Sequence, residues 1–312
     1  IFNFFKLRKI LAQQNDPIVH TWMYNANFFG GLAAYSVGIR NIVWCIRANQ
    51  ISKKKFNPTA ILRKICAWLS TIVPKKIICV GNVSMKTHIK LGYSDRKCVV
   101  IPNGYEVKQI QNDNQLKKNF RKDVREKLKI NRNEIVVISV ARFHSIKDHF
   151  TFFKACKILL KDHNNIKFLL LGRETKKSGK LIKKCIGNDK YKDKFLLLGE
   201  QTNVMSYLYA SDIFCLHSAS EGFPNALGEA MLAGMPCVTT AVGEAPEMLN
   251  LKRYIVNIGC SSSLAASINL LINASSEQRI KIGCQNQKRV VRKYAIDKIA
   301  DQYRKVYEQV NE

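Results

Sequence analysis

Ten short apolar runs, each followed by a helix-like or polar segment, restrict this chain to few folds. Six lie in the second part of the chain, at residues 134–140, 166–172, 194–199, 212–218, 236–241 and 254–259. Amphipathic segments at about 148–163, 177–187, 225–233 and 262–273 alternate with them. A strand apolar at every position is covered on both faces, and strands joined through helices run parallel. The pattern therefore predicts a doubly wound, Rossmann-like α/β domain of six strands. The first third repeats it, with runs at 17–21, 41–47, 76–81 and 97–102 and helical patterns near 25–37, 59–72 and 82–91. Four strands make an incomplete sheet of this kind, so N-terminal strands are expected to be missing.

With 312 residues, 46% of them hydrophobic, the chain can bury two cores. The expected domains are residues 1–106 and 107–285, with 286–312 as basic helices that pack back on the first domain. The turn signal Ile-Pro-Asn-Gly at 101–104 closes the first domain, and the polar stretch from Tyr105 to about Asn119 reads as a linker. No uncharged apolar run reaches about 18 residues, so no membrane-spanning helix is expected. The first residue is Ile1, and the opening stretch mixes apolar and basic residues without a small-residue cleavage site, unlike a signal peptide. Ten cysteines occur without any C-x-x-C, and Cys79, Cys215 and Cys237 fall inside strand-like runs. Buried reduced thiols in a cytoplasmic protein fit that usage better than disulfides or a zinc site.

The formal net charge of +28 is unevenly spread: no acidic residue stands between Asp16 and Asp95, an interval holding eleven Lys and Arg. Such a stretch presents a positive field to phosphates, anionic lipid or nucleic acid. A bias of the whole sequence toward Lys, Asn and Ile is the alternative origin. Residues 51–76 carry seven Lys and Arg, including Lys53, Lys54 and Lys55. Ile61, Leu62, Ile65, Trp68, Leu69 and Ile72 recur among them at helical spacing. A helix of this composition either covers a sheet or lies in the interface of an anionic membrane on the cytoplasmic face.

Two constellations carry chemistry. In the segment 218–238 Glu221 precedes Pro224, and Glu229 lies one turn into the helix that follows. A proline is preformed for a first helical turn, and the amides of Asn225, Ala226 and Leu227 then face the carboxyl edge of the sheet, where phosphate is favoured. Glu229 can accept two hydrogen bonds from a vicinal diol such as a ribose, and Glu221 can meet hydroxyls of a group beyond the phosphates. The alternative is that Glu229 complements the helix dipole and Glu221 is a solvated loop residue. In the second constellation, Arg142 and Lys147 follow the run 134–140 directly. Two cations across a turn can clamp a diphosphate, or simply be solvated. Together the two describe a nucleotide-sugar site.

EGFPNALGEAMLAGMPCVTTAVGEAPEML, residues 221–249, resembles the signature of the retaining glycosyltransferases of family four, an E-x7-E motif followed by A-M-A-x-G-x-P-V-V. The similarity extends through VIPNG, VARFHSIKDH, LLLGEQTNVMSYLYASDIF and HTWMYNANFFGGLAA, and is closest to the polysaccharide and lipopolysaccharide branch. The resemblance implies a GT-B fold of two Rossmann-like domains facing a cleft. It implies transfer of a sugar from a UDP- or GDP-sugar, used as substrate with no cofactor, to a glycan or lipid-linked acceptor with retention of configuration. It further implies that Arg142 and Lys147 hold the diphosphate, Glu229 the ribose and Glu221 the transferred sugar. Asn225, Ala226 and Leu227 lie nearby, and Gly199 and Glu200 stand where nucleobase contacts begin. Many members carry a histidine where this chain has Arg47, so the acceptor-side role of Arg47 is open, and His20 is either a cleft residue or a strand-end histidine. The glycine-rich loop expected after the family's first strand is absent, which puts the activity of this incomplete chain in doubt. No D-x-D occurs, so no metal is expected. A GT-B sugar-nucleotide epimerase and a non-catalytic basic nucleic-acid binder are the rival readings. The first lacks an evident acid/base set, and for the second the aromatics mostly fall in apolar helix or strand faces, so no nucleic-acid partner is expected.

Overall fold

The computed structural model describes residues 2–48, 58–107, 114–187 and 189–312. The chain forms two compact units, residues 1–104 with 221–223 and 296–312, and residues 105–220 with 224–295. Each is built on its own parallel sheet.

In the first unit α1 (Phe2–Ala12) is followed by β1 (Val19–Trp22), α2 (Met23–Ser36), β2 (Ile42–Ile46), α3 (Pro58–Leu69), β3 (Lys76–Cys79), α4 (Asn82–Ile89) and β4 (Cys98–Val100). The strands lie side by side in chain order, all parallel, with Val43 opposite His20 on one side and Lys76 on the other. β2 is buried at all five positions, as a strand covered on both faces must be. Its alternate side chains feed two cores. Ile42, Trp44 and Ile46 pack with Ile77, Cys79 and the α3 residues Cys66 and Leu69. Val43 and Cys45 pack with Ile78 and with Ile299, Val306 and Val310. Those last three belong to α13 (Ile296–Asn311), which thus covers the face opposite α2 and α3. The helical pattern begins earlier than the apolar runs suggest, since α1 was not apparent in them.

The second unit holds α5 (Asn114–Lys127), β5 (Ile135–Val140), α6 (His149–Asp162), β6 (Ile166–Leu171), α7 (Gly179–Ile186), β7 (Phe195–Gly199) and α8 (Val204–Ala210). The chain continues through β8 (Ile213–Leu216), α9 (Asn225–Leu232), β9 (Cys237–Thr240), α10 (Ala245–Leu249), β10 (Ile255–Val256), α11 (Ser261–Ile272) and α12 (Ser276–Tyr294). Its six parallel strands are ordered β10-β9-β8-β5-β6-β7. The chain starts in the middle, winds outward to β7, returns to place β8 beside β5, and winds outward the other way. The strand order therefore reverses between β5 and β8.

The stretch read as a linker runs into a helix at residues 114–119, and residues 108–113 within it lie outside the described residues. Helix α5 starts at Asn114, and its Arg121 and Arg125 both reach Asp212, at 2.7 and 3.3 Å, beside the amino end of β8. Asp212 also accepts the Val136 N–H at 2.8 Å, so a single carboxylate ties α5 to two strands. Tyr105 is buried in the second unit, its N–H bonded to the Tyr294 carbonyl at 2.8 Å. Helices α8 and α10 were also not anticipated, because each is too short to show a period. All ten cysteines are free thiols, Cys79, Cys215 and Cys237 buried among them. Among the described residues, no helix is long and apolar enough to cross a membrane.

Candidate functional site

Open parallel sheets bind ligands beyond the carboxyl ends of the strands where the strand order reverses, here at β5 and β8. The loop after β5 brings Arg142 and Lys147 to that place. Arg142 is exposed, and Lys147 ends a 3-10 turn over Ser145–Lys147. Asp148, in the left-handed region at φ 48, then caps α6 by accepting the Thr151 N–H at 3.2 Å. The loop after β8 is bonded to this turn. The N–H groups of Ala219 and Ser220 donate to the Ile146 carbonyl at 2.8 and 3.3 Å.

His217 makes the second tie: its Nδ1 lies 2.5 Å from the Lys147 carbonyl and its Nε2 2.7 Å from Ser139 Oγ. Burial pulls its pKa down to about 4, so the ring is neutral at pH 7. A neutral imidazole has one donor, and a carbonyl can only accept, so Nδ1 donates to Lys147 and Nε2 accepts from Ser139. His217 thereby fixes the backbone on which Lys147 is carried. It closes an apolar run in the sequence, and a polar residue at a strand's carboxyl end was the signal available for it.

The neighbouring strand ends complete this edge. Gly172, at φ 130, lets the end of β6 approach the backbone of Ala141 and Arg142 so closely that any Cβ would overlap it. Phe143 N–H donates to the Arg173 carbonyl at 2.8 Å, and Gly172 N–H to the Gly199 carbonyl at 2.7 Å. Gly199 (φ 76) ends β7 with its own N–H on Thr175 Oγ1 at 3.1 Å. Glu200 is exposed, with one carboxylate oxygen 3.5 Å from Arg173 Nε. Gly199 and Glu200 thus share the carboxyl edge with Arg142 and Lys147, two strands away from them.

Helix α9 opens at Asn225, and Pro224 stands just before it rather than within its first turn. The Pro224 carbonyl accepts the Leu227 N–H at 3.1 Å. This corrects the expectation of three outward amides, because the tightened first turn satisfies Leu227 internally. Asn225 is exposed and Ala226 half-buried. Glu229, one turn on, is half-buried, and burial raises its pKa. Tyr105 lies against this turn. Its hydroxyl donates to the Asn225 carbonyl at 3.4 Å, and a Cβ on Gly228 would overlap its ring. Burial, and then the Glu229 carboxylate, raise the Tyr105 pKa, so its hydroxyl stays a neutral donor. Tyr105 escaped the sequence reading; the glycine inside the helical segment was the trace of it. Glu221, half-buried, belongs to the first unit together with Gly222 and Phe223.

In the first unit His20 lies within β1 opposite Val43, and Arg47 stands just past the carboxyl end of β2. His20 Nδ1 is 2.8 Å from the Tyr307 hydroxyl, and burial followed by the Arg47 charge brings its pKa down to about 4. Arg47 lies over the Trp22 ring at 4.6 Å from its centre and donates to Asn103. Trp22 stacks on Tyr303 with centroids 6.3 Å apart. Met23, at φ 72, turns the chain sharply from β1 into α2. His20 and Arg47 are therefore brought together, with Trp22 as a partner the sequence reading did not name.

A six-stranded parallel sheet whose strand order reverses, with two cations, a helix amino terminus and a half-buried glutamate at its carboxyl edge, defines a doubly wound α/β protein. More particularly, the chain belongs to the family of glycosyl transferases group 1, whose profile matches residues 120–289. Over 319 aligned residues it is 26% identical to an Escherichia coli UDP-Gal:alpha-D-GlcNAc-diphosphoundecaprenol alpha-1,3-galactosyltransferase, covering 96% of this chain and 77% of that protein. It is 29% identical to the Staphylococcus aureus capsular polysaccharide biosynthesis glycosyltransferase CapH, over 72% of this chain and 60% of that one. Its fold is that of Anabaena Alr3699/HepE, crystallised in complex with UDP, with a TM-score of 0.84 at 18% identity over 98% of this chain and 82% of that one. The expected two-domain GT-B class is the class observed.

Proposed function

We propose that this protein transfers a hexosyl group from a UDP-sugar to a lipid-linked or glycan acceptor in cell-surface polysaccharide synthesis, with retention of configuration. The observation that carries this reading is the bonding of the β8 loop to the Lys147 turn at the strand-order reversal, which fixes a cationic edge before any ligand arrives. Arg142, a planar fork, and Lys147, a point charge, hold the donor diphosphate, and Glu229 accepts hydrogen bonds from the ribose diol. Glu221 orients the transferred sugar. The choice of UDP is supported by the galactosyltransferase relative and by the HepE structure with UDP.

As the bond from the anomeric carbon to the β-phosphate oxygen breaks, charge accumulates on the diphosphate, and fixed cations stabilise it more than they stabilise the ground state. The acceptor oxygen bonds to the anomeric carbon on the face the phosphate leaves, and its proton passes to that phosphate. The cations rather than a metal ion offset the charge.

Thermal unfolding in the presence of UDP, GDP and ADP tests the reading. At about 100 times its Kd a nucleotide adds about 2.7 kcal/mol of stability. UDP is expected to raise Tm most, the Glu229→Ala protein to lose most of that rise, and turnover to persist in EDTA. No response to any of the three nucleotides, or activity lost to EDTA and restored by magnesium, overturns it.

A further inference from the structure

Helix α3 is apolar on two adjacent faces, and among the described residues only one of them is covered. Leu62, Cys66 and Leu69 turn toward the first sheet, joined by Val73 just past the helix. Ile61, Ile65, Trp68 and Ile72 recur at intervals of four, three and four residues and so form one stripe. They are exposed by 57, 39, 66 and 49%. Covering the sheet accounts for the inner set and leaves the outer stripe without a structural reason.

The charges around the stripe identify its partner. Lys64 is exposed on α3 beside the stripe, and Lys97 lies at its far end with Nζ donating to the Thr71 carbonyl at 2.6 Å. No acidic residue occurs between Asp16 and Asp95, the interval that holds Lys64 and the whole of α3, and Asp95 itself stands two residues before Lys97. Lys53, Lys54 and Lys55 precede the helix in sequence and lie outside the described residues. An exposed tryptophan with isoleucines along one face of a helix that itself carries lysine and no acid matches an anionic lipid surface.

We infer that α3 docks the first unit on an anionic membrane, with Ile61, Ile65, Trp68 and Ile72 entering the acyl boundary and Lys64 and Lys97 at the headgroups. This deepens the proposal of a lipid-linked acceptor, which it would bring to the enzyme, and its test is independent of the donor site.

The full chain is sedimented with phosphatidylcholine vesicles, with and without phosphatidylglycerol. Binding is expected only to the anionic vesicles and is expected to fade as NaCl rises from about 0.1 to about 1 M, where the Debye length falls from about 10 to about 3 Å. The Ile65→Ser/Trp68→Ser protein should bind at least about tenfold less while keeping its circular dichroism and its stabilisation by UDP. As a check that needs no disruptive variant, the tryptophan emission of the native chain should shift to the blue on binding, and that of Trp68→Phe should not. Binding unaffected by the double substitution, equal binding to neutral vesicles, or none to either overturns the proposal. So does a dimer that forms through Trp68 in solution, which would make the stripe a protein interface. Loss of UDP stabilisation in the native chain would instead count against the donor site alone.

Discussion

Arg142 and Lys147 stand five residues apart in sequence, yet the structure holds them by different means. The Arg142 backbone is pressed by the end of β6 at Gly172, and the Lys147 backbone is pinned by His217. Both cations are carried on backbone held by contacts within the unit, and under the proposed function neither needs to be reorganised as charge develops. Arg142→Ala and Lys147→Ala are each expected to lower kcat/KM by about 2 to 4 kcal/mol of transition-state stabilisation, roughly 30-fold to 1,000-fold. Steady-state kinetics with Tm as a control for folding would show it, and unchanged kinetics in the double variant would remove both residues from the site. The two cations were legible in the sequence, because charged residues just after a strand-like run fall at a sheet edge. His217 and Tyr105 were not, because their roles depend on partners 70 and 120 residues away in the chain.

At the scale of elements, the first turn of α9 depends on a glycine. Gly228 faces the Tyr105 ring with no room for a methyl group. Gly228→Ala is expected to destabilise the protein by about 1 to 3 kcal/mol through overpacking and to weaken UDP binding by displacing Glu229. Adding Tyr105→Ala opens that space, so the double variant should be less destabilised than the sum of the two single ones. Urea unfolding of the four proteins measures the coupling, and strict additivity would rule out the contact as the reason for the glycine. The same scale shows where local reading fails. The strands were found within a few residues because runs apolar on both faces are a strong signal. The start of α5, up to about Asn119, was read as part of a linker because it is overwhelmingly polar, and what holds the helix is the pairing of Arg121 and Arg125 with Asp212.

At the scale of the whole molecule, burial lowers the pKa of four histidines, to about 4 for His20, about 3 for His149 and about 4 for His217, and below its ordinary value for His88. In the unfolded chain they titrate near about 6.5, so below that pH the unfolded state binds more protons and stability falls as pH falls. The loss runs from about 6.5 down to about 4, at a slope of about 1.4 kcal/mol per pH unit for each histidine. Glu229, raised by burial, acts in the opposite direction but is one group against four. Urea unfolding at a series of pH values between about 7 and about 5 should show the decline, and a flat profile would mean that the histidines are protonated in the fold. The sequence by itself determined the parallel α/β class, most strand positions and the family motif, because each is written in local periodicity and spacing. Tertiary structure alone decided that β8 returns beside β5 and so joins the Arg142 loop to the loop before α9. It also decided that Tyr105 is core rather than linker, and which residues of α3 meet the sheet and which meet solvent. The physical reason is that periodicity fixes which residues share a face, whereas strand order and the burial of a face depend on contacts between segments far apart in the chain.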